Sequence, residues 1–208
     1  AKNQKVLDLV ARSVKIDGQL NGQDVALVAG ANDYGYANRV TTARAPSGDT
    51  PLYAIDSTAL GGMYANRIKI LATEGGVGVR MRGEAAATGD DFTLSASGKI
   101  EINTRLSAER DLALSSSTSG DAIVVEGTNT QLSAKRDLAL SASSGATRLY
   151  EATLTANRDL NVTAATLSDT SSTGKKRYAR RDTRIQTQGA TTLAGTTWGA
   201  GNDLSVQA

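Results

Sequence analysis

The sequence predicts an all-β solenoid, a parallel β-helix whose coils each contain about 20–26 residues. Three observations support this fold class: a unit that recurs along the chain, apolar residues that alternate within each unit, and a scarcity of large side chains. The 208 residues include 39% hydrophobic but only 4% aromatic residues, with one Phe and one Trp. A core built from Leu, Ile, Val and Ala suits thin stacked layers better than one bulky globular core.

The repeat is visible by comparing the chain with itself. It reads LSAERDLALSSS at residues 106–117, LSAKRDLALSAS at 132–143 and LTANRDLNVTAA at 154–165. An Asp marks the same place in the complete and partial copies: Asp91, Asp111, Asp137, Asp159 and Asp203. Successive markers lie 20, 26, 22 and 44 residues apart, and units near 20 residues are typical of solenoids. We therefore expect one continuous β-helix over residues 1–208.

Within each unit, apolar residues alternate with polar ones, which predicts strands rather than helices. Stacking the units predicts two core ladders, one of Leu112, Leu138, Leu160 and Leu204, and another of Leu114, Leu140, Val162 and Val206. The Arg-Asp pair before each ladder residue predicts a turn in which the Asp accepts from backbone N–H groups. Arg and Asp side chains of neighbouring coils would then pair, and Trp198 would cover the last coil.

The repeat disappears over residues 31–60, where both prolines of the chain occur. We expect an excursion from the solenoid here. It could be a contact surface carrying Tyr34, Tyr36, Arg39 and Arg44, or a lid that stabilises one face of the solenoid.

A second break, residues 168–184, is a basic insertion. The candidate contact residues within it are Lys175, Lys176, Arg177, Tyr178, Arg180 and Arg181. Such a patch could bind a sulfated glycan, a lipopolysaccharide phosphate or an acidic partner, or it could be a solvated loop without a ligand.

Composition excludes several kinds of chemistry. The chain has no Cys and no His, so it lacks disulfides, thiolate nucleophiles and the usual base near neutral pH. The net charge of +2 is too small to indicate nucleic-acid binding. No apolar run approaches the roughly 20 residues that span a bilayer. We expect no catalytic residues, no metal site and no cofactor, and the abrupt start suggests a fragment.

An alternative class is a carbohydrate-active enzyme, a polysaccharide lyase or hydrolase, since such enzymes can place carboxylates and arginines on one face of a β-helix. The candidates are Asp90 and Asp91 with Arg80 and Arg82, which could supply an acid and base or hold Ca²⁺. Asp91, however, occupies the repeated turn position. The glycines of TEGGVGVR, residues 73–80, lack the Lys and Ser/Thr of a phosphate-binding loop and predict tight turns.

Two stretches resemble a known family. YAIDSTALGGMYANRIKILATEGGVGVRMRG, residues 53–83, resembles the sequence that follows the secretion domain in filamentous haemagglutinin-like adhesins and contact-dependent growth inhibition effectors. VLDLVARSVKIDGQLNGQDVALVAGANDY, residues 6–34, is similar to the end of that domain. On this resemblance residues 1–84 correspond to the end of the secretion domain and the junction after it, and residues 85–208 to haemagglutinin-type repeats.

The resemblance implies a right-handed parallel β-helix with extra-helical loops, exported by a two-partner secretion system. It also implies an outer-membrane transporter with POTRA modules as partner, and a secreted or cell-surface location in a Gram-negative bacterium. The expected function is a structural stalk or adhesin segment that contacts a host or neighbouring-cell receptor or glycan and presents distal receptor-binding or toxin regions. The family's early Asn-Pro-Asn motifs are missing here, and the family offers no catalytic residues to transfer.

Overall fold

The computed structural model describes residues 5–168, 183–188, 191–194 and 204–207. Within these ranges the chain forms strands and turns, and the strands stack as coils of a right-handed parallel β-helix. Each complete coil contributes one strand to each of three faces, which we name face I, face II and face III. Strands are numbered along the chain.

Face I receives the strand that follows each Arg-Asp turn. Its members are β1 (Val6–Ala11), β4 (Asp24–Ala29), β9 (Arg67–Ala72), β12 (Phe92–Ala96), β15 (Leu112–Ser116), the first part of β18 (Leu138–Tyr150), the first part of β20 (Leu160–Ser168) and β22 (Thr191–Ala194). Every neighbouring pair on this face is parallel. This arrangement places equivalent positions of successive coils directly beside one another.

Faces II and III complete each coil. Face II contains β2 (Val14–Ile16), β7 (Tyr53–Ser57), β10 (Gly78–Met81), β13 (Ile100–Ile102), β16 (Asp121–Glu126) and the second parts of β18 and β20. Face III contains β3 (Gln19–Asn21), β8 (Gly62–Ala65), β11 (Ala85–Ala87), β14 (Arg105–Ala108), β17 (Gln131–Ala134), β19 (Thr153–Ala156), β21 (Thr183–Thr187) and β23 (Leu204–Gln207). Because β18 and β20 continue round the corner, faces I and II form one 13-stranded sheet beside the 8-stranded face III.

The interior is a set of apolar ladders that follow the alternation in the sequence. Leu112 pairs with Leu138, and Leu138 with Leu160, and all are fully buried. Phe92, the one phenylalanine, occupies the same level one coil earlier and is also fully buried. The predicted leucine ladder is therefore confirmed over the repeats that the structure describes.

The last members of the predicted ladders were placed wrongly. Leu160 pairs with Thr191 on face I, whereas Leu204 pairs with Thr183 and Val206 with Ile185 on face III. The alternation of apolar residues is the same on all three faces, so a Leu-x-Val pair fits face III as well as face I. Trp198 and Asp203 lie outside the described residues.

The first break in the repeat is an antiparallel hairpin of β5 (Asn32–Gly35) and β6 (Val40–Ala43). The chain is back in the solenoid at Tyr53, because β7 pairs with β2 and β10 on face II. The excursion is therefore shorter than the predicted 31–60. Of the predicted basic insertion, residues 169–182 lie outside the described part of the chain.

Candidate functional site

The hairpin leaves the solenoid at Gly30, in the second coil. This residue has φ +118°, a conformation that L side chains rarely adopt. A Cβ atom there would lie 2.4 Å from Thr73 Oγ1 and 3.0 Å from the Glu74 backbone nitrogen. Since backbone crowds the position as well as a side chain, glycine is the residue that lets the chain turn outward without disturbing the next coil.

A partly buried ion pair between Arg12 and Glu74 lies next to Gly30. Arg12 Nη2 and Nε donate to the two carboxylate oxygens of Glu74 at 2.9 and 3.1 Å, and Arg12 Nη1 donates to the Ser47 carbonyl at 2.5 Å. The Glu74 side chain is 5% exposed. The hydrogen bonds from Arg12 lower the pKa of Glu74 despite its burial. One arginine therefore holds both the first coil and the returning limb of the excursion.

A second arginine fastens the hairpin onto face I. Arg39, in the hairpin turn, donates to both carboxylate oxygens of Asp8 in β1 and to Asp24 Oδ2 at 2.9 Å in β4. Tyr34 also donates its hydroxyl to Asp8 Oδ2 at 2.9 Å. Burial alone would raise the pKa of Asp24, but hydrogen bonds from Arg67 and Arg39 outweigh it and lower the pKa. The hairpin thus bridges consecutive coils.

The predicted contact residues of the hairpin differ in exposure. The rings of Tyr34 and Tyr36 meet edge to face with centroids 5.0 Å apart. Tyr34 is half-buried against face I, whereas Tyr36 is 72% exposed. Arg44 is exposed and lies 3.6 Å from the Asp33 carboxylate. Among the described predicted residues, Tyr36 and Arg44 therefore face outward, while Tyr34 and Arg39 hold the hairpin in place.

Between the hairpin and face I lies a groove of about 280 Å³. Its floor is formed by outward-facing side chains of β4 and β9, including Ala26, Val28 and Leu71. Tyr34 and Thr41 of the hairpin form one wall. We name this feature the hairpin groove. It has an apolar floor on a solenoid face whose other outward positions are largely polar.

Arginine and aspartate side chains of successive coils pair along the corner where face III meets face I. Arg136 Nε donates to Asp111 Oδ1 at 2.6 Å, and Arg158 Nε donates to Asp137 Oδ1 at 2.6 Å. The backbone nitrogens of Asp137 and Asp159 donate to the same Oδ1 atoms of Asp111 and Asp137, each at 3.2 Å. We name this row of pairs the Arg–Asp seam. The predicted role of the repeated Asp as a turn acceptor, and the predicted pairing between coils, are both confirmed.

The seam shifts the ionisation of its carboxyl groups. Hydrogen bonds from Arg136 and Arg158 lower the pKa of Asp111 and Asp137, respectively, below the ordinary value. The seam starts earlier in the chain, since the Asp111 backbone nitrogen donates to Asp91 Oδ1 at 3.1 Å. Asp91, Asp111 and Asp137 therefore each accept a backbone hydrogen bond that joins neighbouring coils.

The residues proposed for a carbohydrate-active enzyme do not form one site. Arg80 and Arg82 lie at face II and pair with Asp56 at 2.8 and 3.6 Å, and the Arg80 guanidinium lies 4.1 Å from a tyrosine ring centroid. Asp90 and Asp91 instead lie in the turn before the face I strand of the next coil, 3.0 and 3.8 Å from Arg110. The expected grouping of these carboxylates with Arg80 and Arg82 was wrong, because the chain passes from face II through face III towards face I between the arginines and the aspartates.

Other kinds of site can be assessed over the described ranges. The glycines of residues 73–80 form a tight turn, in which Gly76 has φ +77° and the Val77 nitrogen donates to the Glu74 carbonyl at 3.3 Å. In the part of the chain that the structure describes, no group of acidic residues is arranged to hold a metal ion. Nor does that part contain a helix long and apolar enough to cross a bilayer. The six candidate residues of the basic insertion, Lys175 to Arg181, lie outside the described residues.

Comparison with known proteins adds the family. Residues 1–102 match the family model of the TPS secretion domain, the domain of two-partner secretion. Residues 1–102, about half of the chain, therefore belong to the secretion domain of two-partner secretion exoproteins. Such exoproteins are secreted or displayed on the surface of Gram-negative bacteria, and their secretion domain implies a partner transporter in the outer membrane. This assignment confirms the resemblance to two-partner secretion exoproteins, and its bounds include residues 53–83, which the resemblance placed at the junction after the domain.

Similar curated proteins are much longer than this chain. A protein named tRNA nuclease CdiA from Yersinia mollaretii is 40% identical over 103 residues, which are 50% of this chain and 3% of that protein. A tRNA nuclease CdiA-2 from Burkholderia pseudomallei is 40% identical over 101 residues, 49% of this chain and 3% of that protein. A 16S rRNA endonuclease CdiA from Enterobacter cloacae is 37% identical over 102 residues, with the same coverage. No solved structure matches.

Proposed function

We propose that this chain is the export-directing and stalk-forming part of a surface exoprotein. Its first half engages the POTRA modules of an outer-membrane transporter, and the stacked coils then hold distal regions away from the cell for contact with a host or neighbouring bacterium. The observation that carries this proposal is the continuity of the solenoid. Face I runs from β1 through β12 in the secretion domain and on through β15 and β18 beyond it without a change of pairing direction.

The geometry suits a spacer. Neighbouring strands lie about 4.8 Å apart, so the 8 strands of face III span about 34 Å along the axis. Each coil contacts its neighbours through the ladders and the Arg–Asp seam, and such stacks behave as extended rods. A rod of this kind provides reach without needing a converged polar site of its own.

The names of the relatives suggest what the distal region does. Those proteins are named tRNA nucleases and a 16S rRNA endonuclease, and this chain matches about 3% of their length. We propose that the parent exoprotein likewise carries a distal effector, and that the stalk itself is not an enzyme. The separation of Asp90 and Asp91 from Arg80 and Arg82 supports a non-catalytic role.

The stalk role can be tested in the full exoprotein expressed with its transporter, using an antibody epitope placed distal to the repeats. Leu138→Asp puts a charge into the fully buried ladder, and Ala139→Asp puts the same charge at the adjacent outward position. Burying an unpaired carboxylate costs several kcal/mol. We expect Leu138→Asp to abolish surface display of the epitope and Ala139→Asp to retain it. Equal display from both variants would contradict the stalk role.

The adhesive part of the role needs a separate measurement. Purified chain is incubated with target cells, and competition with the full exoprotein for cell contact is measured. Binding and competition by the chain support a contact surface within it. If neither the chain nor the full exoprotein binds cells, the contact function is refuted while the stalk function stands.

A further inference from the structure

The hairpin groove contains polar groups that the fold itself does not use. Most charged side chains near it are paired: Arg39 with Asp8 and Asp24, and Arg67 with Asp24 at 2.9 Å. Lys69, which also lines the groove, is exposed and has no salt bridge or side-chain hydrogen bond among the described residues. Its ammonium group is therefore free to receive an anionic partner at the mouth of the groove.

Strand register fixes where this lysine stands. Lys69 in β9 is flanked by Ala26 in β4 and Thr93 in β12, on the same level of face I. Two positions along the strands, Val28 and Leu71 form the next level. Neighbouring strands lie about 4.8 Å apart, and side chains on one face repeat about every 6.6–6.8 Å along a strand. Lys69, Thr93 and Leu71 therefore form a patch about the size of one sugar ring.

The floor of the groove is unusually apolar for an outward surface. Ala26 is 4% and Val28 is 3% exposed, although both belong to a strand face that other coils present to solvent. The hairpin covers them and leaves Leu71 half-buried at the edge. Leu71 is therefore the apolar side chain that a ligand can reach, and contact with it favours the apolar C–H face of a sugar ring over a hydrated inorganic anion.

Hydrogen-bonding groups surround the same patch. Asp91 uses Oδ1 to accept from the Asp111 backbone nitrogen at 3.1 Å, and within the described residues its Oδ2 has no hydrogen-bond partner. The Thr41 and Thr93 hydroxyls also line the groove without a side-chain hydrogen bond to any described residue. A carboxylate oxygen and two hydroxyls can serve the hydroxyl groups of a sugar as acceptors and donors.

We propose that the hairpin groove binds one acidic sugar residue, of the hexuronic or sialic acid class. The sugar carboxylate pairs with Lys69, ring hydroxyls bind Asp91 and Thr93, and the ring lies against Leu71 at the edge of the groove. The volume of about 280 Å³ is at the lower end for small-molecule sites, which suits a single terminal sugar. This inference adds a ligand class to the surface and does not depend on the export or stalk roles.

The test titrates the full chain with glucuronic acid and with sialic acid, and with glucose as the neutral probe, observing protein amide shifts by NMR. A single sugar has few atoms with which to contact the protein, so we expect a dissociation constant in the millimolar range or somewhat below it. We expect at least one acidic sugar to bind in that range, glucose to bind at least tenfold more weakly, and shifts to cluster in β4, β9 and the hairpin.

Two variants make the test decisive. Lys69→Gln removes the free cation and is expected to weaken binding of the acidic sugar about tenfold, a loss typical of one charged hydrogen bond. Lys99→Gln is the matched control, because Lys99 pairs with Glu101 at 2.7 Å outside the groove, and it is expected to leave binding unchanged. Circular dichroism confirms that both variants are folded.

Three results would overturn the proposal. Equal affinity for glucose would show that the carboxylate is not recognised. Unchanged binding by Lys69→Gln would show that the groove is not the site. Equal or tighter binding of inorganic sulfate or a tetraglutamate peptide at the same ionic strength would show a general anion or acidic-peptide surface instead of a sugar site.

Discussion

Thr147 places a hydroxyl group in the core where it has no partner. It is fully buried, and its Oγ1 has no hydrogen-bond partner. Its ladder neighbours, Ile123 and Leu167, are apolar. Leaving a buried hydroxyl unsatisfied costs about 1–3 kcal/mol. Thr147→Val replaces that hydroxyl with a methyl group of similar shape, so we expect the free energy of unfolding to rise by about that amount.

The matched control is a buried threonine that does have a partner. Thr130 is 2% exposed and donates its hydroxyl to the Glu126 carbonyl at 2.8 Å. The same substitution, Thr130→Val, removes this bond, while the Glu126 carbonyl keeps a second one from Asn103 Nδ2 at 2.7 Å. We therefore expect the free energy of unfolding to fall by about 1 kcal/mol. The two valine variants should therefore move stability in opposite directions.

Urea unfolding followed by far-UV circular dichroism measures the difference. With an m-value of about 3 kcal/mol/M, a gain of about 1–3 kcal/mol for Thr147→Val raises the midpoint by roughly 0.3–1 M. Stacked repeats can unfold in stages, so the comparison uses variants whose transitions are single and have the same m-value as the unsubstituted chain. A lower midpoint for Thr147→Val, similar to that of Thr130→Val, would show that the Thr147 hydroxyl is satisfied and would refute the reasoning.

Three other predictions concern the hairpin and the Arg–Asp seam. Gly30→Ala should lower the free energy of unfolding by about 1–3 kcal/mol, because its Cβ would lie 2.4 Å from the Thr73 hydroxyl at a positive φ; urea unfolding measures this. Arg39→Ala should speed chymotryptic cleavage after Tyr34 and Tyr36 in the hairpin several-fold, since it removes the ion pairs to face I. Acidification should lower the urea midpoint, because seam carboxyls have lowered pKa values in the folded chain.

Each of these has a control or a refuting result. Gly18→Ala should change stability little, because nothing lies within 4 Å of its added Cβ. Arg105→Ala, outside the hairpin, should leave the chymotryptic cleavage rate in the hairpin unchanged. Equal rates for Arg39→Ala and the unsubstituted chain would contradict the role of Arg39 in fastening the hairpin to face I. For the seam, stability is full above the ordinary Asp pKa and is lost as pH falls through the folded pKa. A urea midpoint that stays level from pH 6 to pH 3 would contradict the lowered pKa values.

Sequence reasoning predicted the regular parts of this molecule well because their interactions connect equivalent positions of successive repeats. The register of Leu112, Leu138 and Leu160 follows from aligning the repeated unit, and the same alignment predicts which Arg meets which Asp. It failed for Leu204, because alternation alone does not distinguish one face from another and the preceding marker spacing was twice the usual length.

The candidate site was harder to predict because its contacts join residues that no repeat relates. Arg39 meets Asp8, and Arg12 meets Glu74, across 31 and 62 positions of sequence. The hairpin strands carry few alternating apolar residues, so their pairing produces no strand signal of the usual kind. The groove likewise depends on where the hairpin rests on face I, which the excursion's prolines and tyrosines do not specify.

The spacing between coils has a consequence for how such a chain can change length. Markers are 20, 26 and 22 residues apart, yet β14, β17 and β19 remain in register on face III, and β15, β18 and β20 on face I. The extra residues are absorbed before the chain returns to face III. In an additional unit inserted in frame, the Arg would pair with the Asp of the preceding coil and the Asp with the Arg of the following coil. The rod could therefore be lengthened or shortened by whole coils without requiring a new kind of contact.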